Sequence, residues 1–333
     1  MVIYILLFLL GLALLIKGGD WFVDGSVGIA RRFHLSEILI GATIVAIGTT
    51  LPEVMVSSIS AVQGASDISY GNAIGSIICN TALISAITVA VRPGSVNRRS
   101  LRLPVSFFFA AAILYCTTAY LTGYFNRLLG ICLLLVFAAY IALSVWEAKK
   151  NPLPELAEED KPAEEPIGSS DPKKERIAFL KDIGFLVLGG ACIAIGAKLL
   201  VDNGIGISNE LGIPQKVVAL VFVALGTSLP ELVTAITALA KGHSALSLGN
   251  IIGANLFNIV LVGGLSITIR PFAVPASTVV NGMNTSLVAD IPLMLAVMLI
   301  LTVPALIRGK LARWQGILLL SLYTAFCIFQ FVI

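Results

Sequence analysis

The sequence has little charge for its length. Only 12% of its 333 residues are charged and 57% are hydrophobic, whereas a soluble domain carries about 25% charged residues. Too little polar surface is left to cover such a chain in water, which excludes a soluble globular protein. The same apolar content excludes intrinsic disorder. The net charge of +3 gives no sign of a nucleic-acid partner.

Soft metal ligands and catalytic arrangements are also scarce. The chain has two histidines and five cysteines, and Cys79, Cys116, Cys132, Cys192 and Cys327 lie in apolar runs without disulfide or metal spacing. No Ser/His, Cys/His or HExxH arrangement lies at membrane depth. We therefore expect neither an enzyme nor a bound cofactor, and nothing indicates an obligate protein partner.

Long apolar stretches are abundant instead. Lipid offers no partner for backbone N–H and C=O groups, so segments of about 20 apolar residues cross the bilayer as helices. The sequence therefore predicts an all-α integral membrane protein with ten spans. These spans are 2–19, 37–62, 71–91, 104–122, 128–146, 182–201, 215–240, 247–269, 287–307 and 314–333.

Lysine and arginine fall mostly on one side of this arrangement. Of the 22 Lys and Arg residues, 18 lie in the loops of one side, which the positive-inside rule assigns to the cytoplasm. Both termini then face outward in the cell membrane. The one hydrophilic stretch, residues 147–181, is rich in proline and mixed charge and is expected to be a flexible cytoplasmic linker.

The two halves of the chain repeat each other at an offset of 178 residues. VAIGTTLPE (45–53) aligns with VALGTSLPE (223–231), and GNAIGSIICN (71–80) aligns with GNIIGANLFN (249–258). Five spans precede the linker and five follow, so the second copy enters the membrane from the opposite side. We expect two inverted five-helix repeats, at 1–146 and 182–333, a plan common in secondary transporters. Their most similar segments are 37–93 and 215–271.

Each repeat carries one carboxylate inside a span, Glu53 or Glu231. An ionisable group at that depth costs roughly 2.5–3.5 kcal/mol on insertion scales, so the pair indicates a functional site. Pro52 and Pro230 displace helix hydrogen bonds, which is expected to free carbonyls near Ala46 and Ala224. Further oxygens come from Thr49, Thr50, Thr227 and Ser228 and, on the following spans, from Asn72, Ser76, Asn80, Asn250, Asn255 and Asn258.

A site made of oxygen alone selects hard cations such as Ca²⁺, Mg²⁺, Na⁺ or K⁺. Two carboxylates supply a charge of −2, which neutralises one Ca²⁺ or two Na⁺. That equality favours mutually exclusive binding and hence exchange. Asp24, Asp202 and Asp290 lie near span ends, where helix capping or interfacial solvation is the expected role.

At GTTLPE…GNAIGSIICN and GTSLPE…GNIIGANLFN the sequence resembles the cation/Ca²⁺ antiporter superfamily, and within it the prokaryotic sodium/calcium exchangers. The resemblance implies Na⁺/Ca²⁺ exchange by alternating access, with spans one and six sliding as a gating pair. It implies that Glu53 and Glu231 bind Ca²⁺ together with the carbonyls of Thr49 and Thr227. One Na⁺ site would use Ala46, Thr49, Thr50, Ser76 and Glu53. Its mirror site in the second half would use Ala224, Thr227, Ser228 and Glu231. A central position would be framed by Glu53, Asn80, Glu231 and Asn258.

The chain departs from that family pattern at two positions. Asn258 stands where the family commonly has Asp, and Ala254 stands where it commonly has Ser. The missing hydroxyl weakens the expected second Na⁺ site, so H⁺/Ca²⁺ exchange through the same glutamates remains an alternative, as does a K⁺-dependent Na⁺/Ca²⁺ exchanger. An intramembrane hydrolase and a purely structural membrane protein are the alternatives from other classes.

Overall fold

The computed structural model describes residues 1–32, 48, 50–96, 98–150, 172–240 and 244–332. These residues are almost entirely helical, with three short strand pairs between helices. The helices are α1 (Val2–Arg32), α2 (Leu51–Gln63), α3 (Ser66–Val91), α4 (Arg98–Thr122), α5 (Arg127–Lys150), α6 (Pro172–Leu211), α7 (Gln215–Thr227), α8 (Leu229–Ala240), α9 (244–269), α10 (Ser286–Arg308) and α11 (Arg313–Val332).

Eight of these helices are long and apolar enough to cross a membrane: α1, α3, α4, α5, α6, α9, α10 and α11. The chain is therefore an all-helical membrane protein. The expected seventh span, 215–240, consists of two short helices, α7 and α8, which meet at Ser228. Of the expected second span, 37–62, the structure describes Gly48 and the residues from Thr50 onward, and the rest lies outside the described residues.

Helices α1 and α6 extend beyond the first and sixth spans predicted from the sequence. The sequence placed them at 2–19 and 182–201, but α1 continues to Arg32 and α6 runs from Pro172 to Leu211. Charged residues beyond the apolar core do not end these helices, since Lys198 and Asp202 form an ion pair of 2.8 Å one turn apart. Helix α5 reaches Lys150 and α6 begins at Pro172, so both helices enter the range of the expected linker, 147–181, whose residues 151–171 lie outside the described part.

Helices α1 and α6 pack tightly against each other through glycines. A Cβ on Gly11 would lie 2.8 Å from the carbonyl oxygen of Gly196, and one on Gly18 would lie 2.9 Å from that of Gly189. Small residues allow such close backbone approach between membrane helices. Early residues of α1 face late residues of α6, so the two helices are antiparallel. At the offset of 178, Gly11 corresponds to Gly189 and Gly18 to Gly196, so the contacts are exchanged between the halves.

Two strand pairs also connect the halves. Strand β1 (Gly94–Ser95) pairs antiparallel with β6 (Lys310–Leu311), and β2 (Tyr124–Phe125) pairs antiparallel with β3 (Phe272–Ala273). Each pair joins a loop that precedes the linker to a loop that follows it. A third pair, β4 (Val279–Val280) and β5 (Met283–Asn284), forms a hairpin between α9 and α10. Its turn residues, Asn281 and Gly282, have φ of 50° and 78°, as a type I′ turn requires.

The main apolar core surrounds α3 and α9. These two helices are the most buried of the eight long apolar helices, and α4, α5, α10 and α11 pack around them. Aromatic rings fill one end of this core, where Phe125 lies 4.4 Å from Tyr115 and 5.4 Å from Phe272 between ring centroids. The two motif helices that follow the glutamates are thus held at the centre of the bundle.

Candidate functional site

The two glutamates lie in the first turns of short helices that start at the motif prolines. Helix α2 begins at Leu51 and α8 at Leu229, so Pro52 and Pro230 occupy first-turn positions, where proline is tolerated. Glu53 and Glu231 follow directly. The amino ends of α2 and α8, where the positive end of each helix dipole lies, are therefore next to the glutamates.

The break before α8 does not free the carbonyl of Ala224, contrary to the expectation from the sequence. That oxygen accepts the N–H of Ser228 at 3.1 Å and the hydroxyl of Thr227 at 3.3 Å. The bond that Pro230 removes is the one to the carbonyl four residues earlier, at Gly226, because proline has no N–H. The single hydroxyl hydrogen of Thr227 is shared between the Ala224 oxygen and that of Asn72, which lies nearer, at 3.1 Å.

The structure brings the two carboxylates together. Glu53 and Glu231 are at most 1% exposed, and they lie close enough for their charges to repel each other. The hydroxyl of Ser228, at the start of the second break, donates to Oε1 of Glu53 at 3.3 Å. This hydrogen bond joins the motif of one half to the glutamate of the other, as the inverted repeat predicts.

Asn72 links helices α2, α3 and α7 by hydrogen bonds beside the two glutamates. Its amide nitrogen donates to the carbonyl of Glu53 at 3.2 Å and to the hydroxyl of Ser57 at 2.8 Å, and its oxygen accepts the Thr227 hydroxyl at 3.1 Å. Three of the four hydrogen bonds that an asparagine side chain can make are therefore directed at protein groups. Its observed role is helix–helix hydrogen bonding between α2, α3 and α7.

Asn80 and Asn258 offer open polar groups. Both side chains are at most 1% exposed, and neither the nitrogen nor the oxygen of either amide has a hydrogen-bond partner within the described residues. Leaving a buried polar group unsatisfied costs about 1–3 kcal/mol. Each residue also begins a π-helical segment, Asn80–Ser85 in α3 and Asn258–Gly263 in α9. Such segments are frequent at functional sites, and no feature of the sequence signalled them.

The hydroxyl of Ser76 is likewise buried without a partner in the described part of the chain. The equivalent residue of the second half, Ala254, is buried as well, so one side of the site presents a hydroxyl and the other a methyl group. Thr50 and Ser228 are fully buried beside the glutamates. Ala46 and Thr49 lie outside the described residues.

Asn255 and Asn250 differ in their surroundings, and the side-chain oxygen of Asn255 is buried without a hydrogen-bond partner within the described residues. The amide of Asn255 donates to the hydroxyl of Thr81 at 2.7 Å and to the sulfur of Met298 at 3.3 Å, linking α9 to α3 and α10. Asn250 is exposed, although its equivalent Asn72 is fully buried. The two halves of the site therefore share residue types but have different surroundings.

Comparison with known proteins decides the family. A family model described as sodium/calcium exchanger protein matches residues 3–146 and 181–332. The sodium/calcium exchanger MaX1 of Methanosarcina acetivorans is 33% identical over 357 residues, covering 98% of each chain. The chain belongs to the sodium/calcium exchanger family.

Other exchanger relatives agree over nearly the full length. The uncharacterized membrane protein MJ0091 of Methanocaldococcus jannaschii is 34% identical over 319 residues, covering 95% of this chain and 94% of the relative. The solved sodium/calcium exchanger from Methanococcus jannaschii superposes with a TM-score of 0.59 at 31% identity, covering 98% of each chain. The same exchanger soaked with 100 mM Na⁺ and 10 mM Sr²⁺ gives a TM-score of 0.61 at 32% identity.

A buried ion pair of this exchanger-family chain was not predicted from its sequence. Asp290 was expected to cap a helix or to be solvated at an interface, but the side chains of Asp290 and Lys216 are both fully buried. The ammonium of Lys216 lies 3.2 Å from the carboxylate of Asp290. Their separation of 74 positions in the sequence gave no signal for this contact.

Proposed function

We propose that the protein is a secondary active antiporter that exchanges Ca²⁺ for Na⁺ by alternating access at a site near the membrane midplane. The observation that carries the proposal is the buried pair Glu53 and Glu231, contributed by equivalent positions of the two halves and linked through Ser228. A protein with a purely structural role has no use for two adjacent buried carboxylates, because their repulsion and desolvation both oppose folding.

The charge of the pair explains coupling. Two carboxylates are neutralised by one Ca²⁺ or by two Na⁺, so the two cargoes compete for the same charge. An empty site would carry two carboxylates through a closed, low-dielectric state with no bound cation to neutralise them, which costs several kcal/mol per ion. The protein therefore switches between its outward-facing and inward-facing states only when the site is occupied, and each ion moves in exchange for the other.

The proposed ligands combine the glutamates with nearby oxygens. For Ca²⁺ these are both carboxylates and the carbonyls of Thr49 and Thr227. The first Na⁺ site uses Ala46, Thr49, Thr50, Ser76 and Glu53, and the second uses Ala224, Thr227, Ser228 and Glu231. Asn80 and Asn258 frame the centre, and their unsatisfied amides support a ligand there.

The proposed architecture is ten spans in two inverted repeats, 1–146 and 182–333, with the linker in the cytoplasm and both termini outside. Three observations support it: the antiparallel α1 and α6 with exchanged glycine contacts, the exchanged strand pairs, and the family match in two blocks. In this scheme α1 and α6 slide together as the gating pair.

Cysteine labelling tests the proposed topology. A single cysteine at position 160 in a cysteine-free variant should react with a membrane-impermeant maleimide only after the membrane is permeabilised, so that the reagent reaches the cytoplasmic side.

Transport by purified protein tests the function. Proteoliposomes loaded with Na⁺ should accumulate ⁴⁵Ca²⁺ with the wild-type protein and not with Glu231→Gln, although that variant stays folded. Glu210→Gln is the matched control, since Glu210 is exposed and pairs with the N-terminal amine at 2.9 Å. Equal uptake by wild type and Glu231→Gln would overturn the proposal.

A specific observation supports proton exchange as a second candidate. Ala254 places a methyl group where the other half has the Ser76 hydroxyl, which removes a ligand from one Na⁺ site. In that case Glu53 and Glu231 would carry protons in one half-cycle. A K⁺-dependent form is a third candidate, because the human sodium/potassium/calcium exchanger 2 is 27% identical over 49% of this chain.

A further inference from the structure

A second buried charge cluster lies at the opposite end of α7 from the glutamates. Lys216 is in the first turn of α7 and Asp290 ends the π-helical start of α10. Both side chains are fully buried, and Nζ of Lys216 lies 3.2 Å from Oδ2 of Asp290. Oδ1 of Asp290 accepts a hydrogen bond of 2.7 Å from the amide of Gln330 in α11.

The ammonium is surrounded by oxygen atoms of the hairpin region. Lys216 donates to the hydroxyls of Thr278 at 2.7 Å and Thr285 at 2.5 Å, and the hydroxyl of Ser286 lies 3.5 Å away. The Thr278 and Thr285 hydroxyls also bond to each other across the base of the β4–β5 hairpin. The carboxyl of Asp67, in the first turn of α3, is near enough to attract the ammonium. One carboxylate and three hydroxyls thus form an oxygen-lined site around the cation.

Stability alone does not account for this arrangement. Replacing a buried ion pair by apolar side chains is often neutral or stabilising, whereas removing one partner is strongly destabilising. The equivalent position in the first half of the chain is Ile38 (216 − 178), so the first half has no cationic side chain at this position. The 270–285 connection that supplies the hydroxyls is also longer than its counterpart at 92–97. The cluster therefore distinguishes the two otherwise matching halves.

Position links the cluster to the ion site. Helix α7 carries Lys216 at its start, and the Thr227–Ser228 pair that contacts Asn72 and Glu53 follows at its end. Between them α3 rests on α7, because a Cβ on Gly71 would lie 3.0 Å from the carbonyl oxygen of Lys216. A shift of the start of α7 is therefore transmitted along a packed helix to the residues that face Glu53.

We propose that the ammonium of Lys216 is a tethered cation that fills an internal site for a small monovalent cation of the ammonium type. By filling it, Lys216 acts as a positioning residue that fixes α7 and so presents Thr227 and Ser228 to the glutamates. The positioning role rests on the proposed exchange function. The cation site itself does not, because it follows from the geometry around Lys216.

The first test removes the tether and supplies the cation from solution. Lys216→Ala should lower the melting temperature of the detergent-solubilised protein, and ammonium or methylammonium should raise it again in a saturable way. Tetramethylammonium, which is too large for the site, serves as the ionic-strength control. Lys198→Ala is the matched control, since its pair with Asp202 is 64% and 43% exposed. It should lose little stability and gain nothing from ammonium.

The second test separates positioning from stability. Lys216→Met with Asp290→Asn removes both charges and should recover most of the melting temperature that either single variant loses. If Lys216 positions α7, this double variant should still show a KM for Ca²⁺ at least threefold above wild type. A wild-type KM in a stable double variant would overturn the positioning role.

The two proposals fail in different ways. Absence of ammonium rescue in Lys216→Ala would overturn the cation site even if exchange is observed. A wild-type protein that transports no Ca²⁺ in proteoliposomes would overturn the proposed function and the positioning role, while ammonium rescue in the melting experiment would still support the site.

Discussion

Replacing Glu53 by glutamine should change ion selectivity, not merely weaken binding. Glutamine keeps the size of glutamate and an oxygen that can accept from Ser228, which bonds Glu53 at 3.3 Å, so the fold should persist. What the substitution removes is one negative charge from a fully buried site. A divalent ion loses twice the Coulomb energy that a monovalent ion loses at the same distance.

The magnitude follows from the burial of the pair. Two unit charges about 4 Å apart at an effective dielectric constant of about 20 interact by about 4 kcal/mol. The variant should therefore lose about 8 kcal/mol of attraction for Ca²⁺ and about 4 kcal/mol for Na⁺. The difference of about 4 kcal/mol corresponds to roughly a thousandfold shift of selectivity toward Na⁺.

Equilibrium binding measures this shift directly. Titrations of detergent-solubilised wild type and Glu53→Gln with Ca²⁺ and with Na⁺, followed by calorimetry or by melting temperature, give both affinities. Glu210→Gln, on the exposed ion pair with the N-terminus, should leave both unchanged. Equal loss of Ca²⁺ and Na⁺ affinity in Glu53→Gln would refute the reasoning, since it would mean that the carboxylate acts on folding or access and not as a ligand charge.

Three further substitutions test the packing and the second sodium site. Gly18→Ala should destabilise the protein by about 1–3 kcal/mol through overpacking, because its Cβ would lie 2.9 Å from a backbone oxygen of α6. Gly19→Ala is the control, since a Cβ there meets none of the described residues within 4 Å. Chemical denaturation measures the free energy of unfolding of both variants. Asn72→Ala removes three buried hydrogen bonds, which at about 1 kcal/mol each should lower the free energy of unfolding by about 3 kcal/mol. Asn250→Ala, at the exposed equivalent position, should lower it by less than about 0.5 kcal/mol in the same assay. Ala254→Ser should lower the Na⁺ concentration for half-maximal Ca²⁺ release several-fold, and an unchanged value would contradict a Na⁺ ligand at this position.

Much of the candidate site could be predicted from the repeated motifs. Because GTTLPE and GTSLPE recur with equivalent spacing, the sequence alone predicted that Glu53 and Glu231 would meet, and Ser228 does contact Glu53. Pro230 likewise predicted an opening of the helix in this region, and the structure has the interruption at Ser228. These features depend on local backbone chemistry and on symmetry, both of which can be read from residue types.

Other features depend on contacts that no local pattern encodes. Nothing in the sequence distinguishes Asn80, whose amide nitrogen has no partner within the described residues, from Asn255, whose amide nitrogen donates to Thr81. The pairing of Lys216 with Asp290 joins residues far apart in the chain, and the sequence indicated only that Asp290 lies near the end of a span. Helix length also could not be read from the apolar runs, because α6 continues past a charged residue such as Asp202, which pairs with Lys198.

The most direct test of the account is ⁴⁵Ca²⁺ uptake into proteoliposomes at clamped voltage, with an outward Na⁺ gradient compared with an outward H⁺ gradient. The account predicts uptake driven by Na⁺ in the absence of a pH gradient. Uptake driven only by the pH gradient would contradict sodium exchange and would favour proton exchange through the same two glutamates.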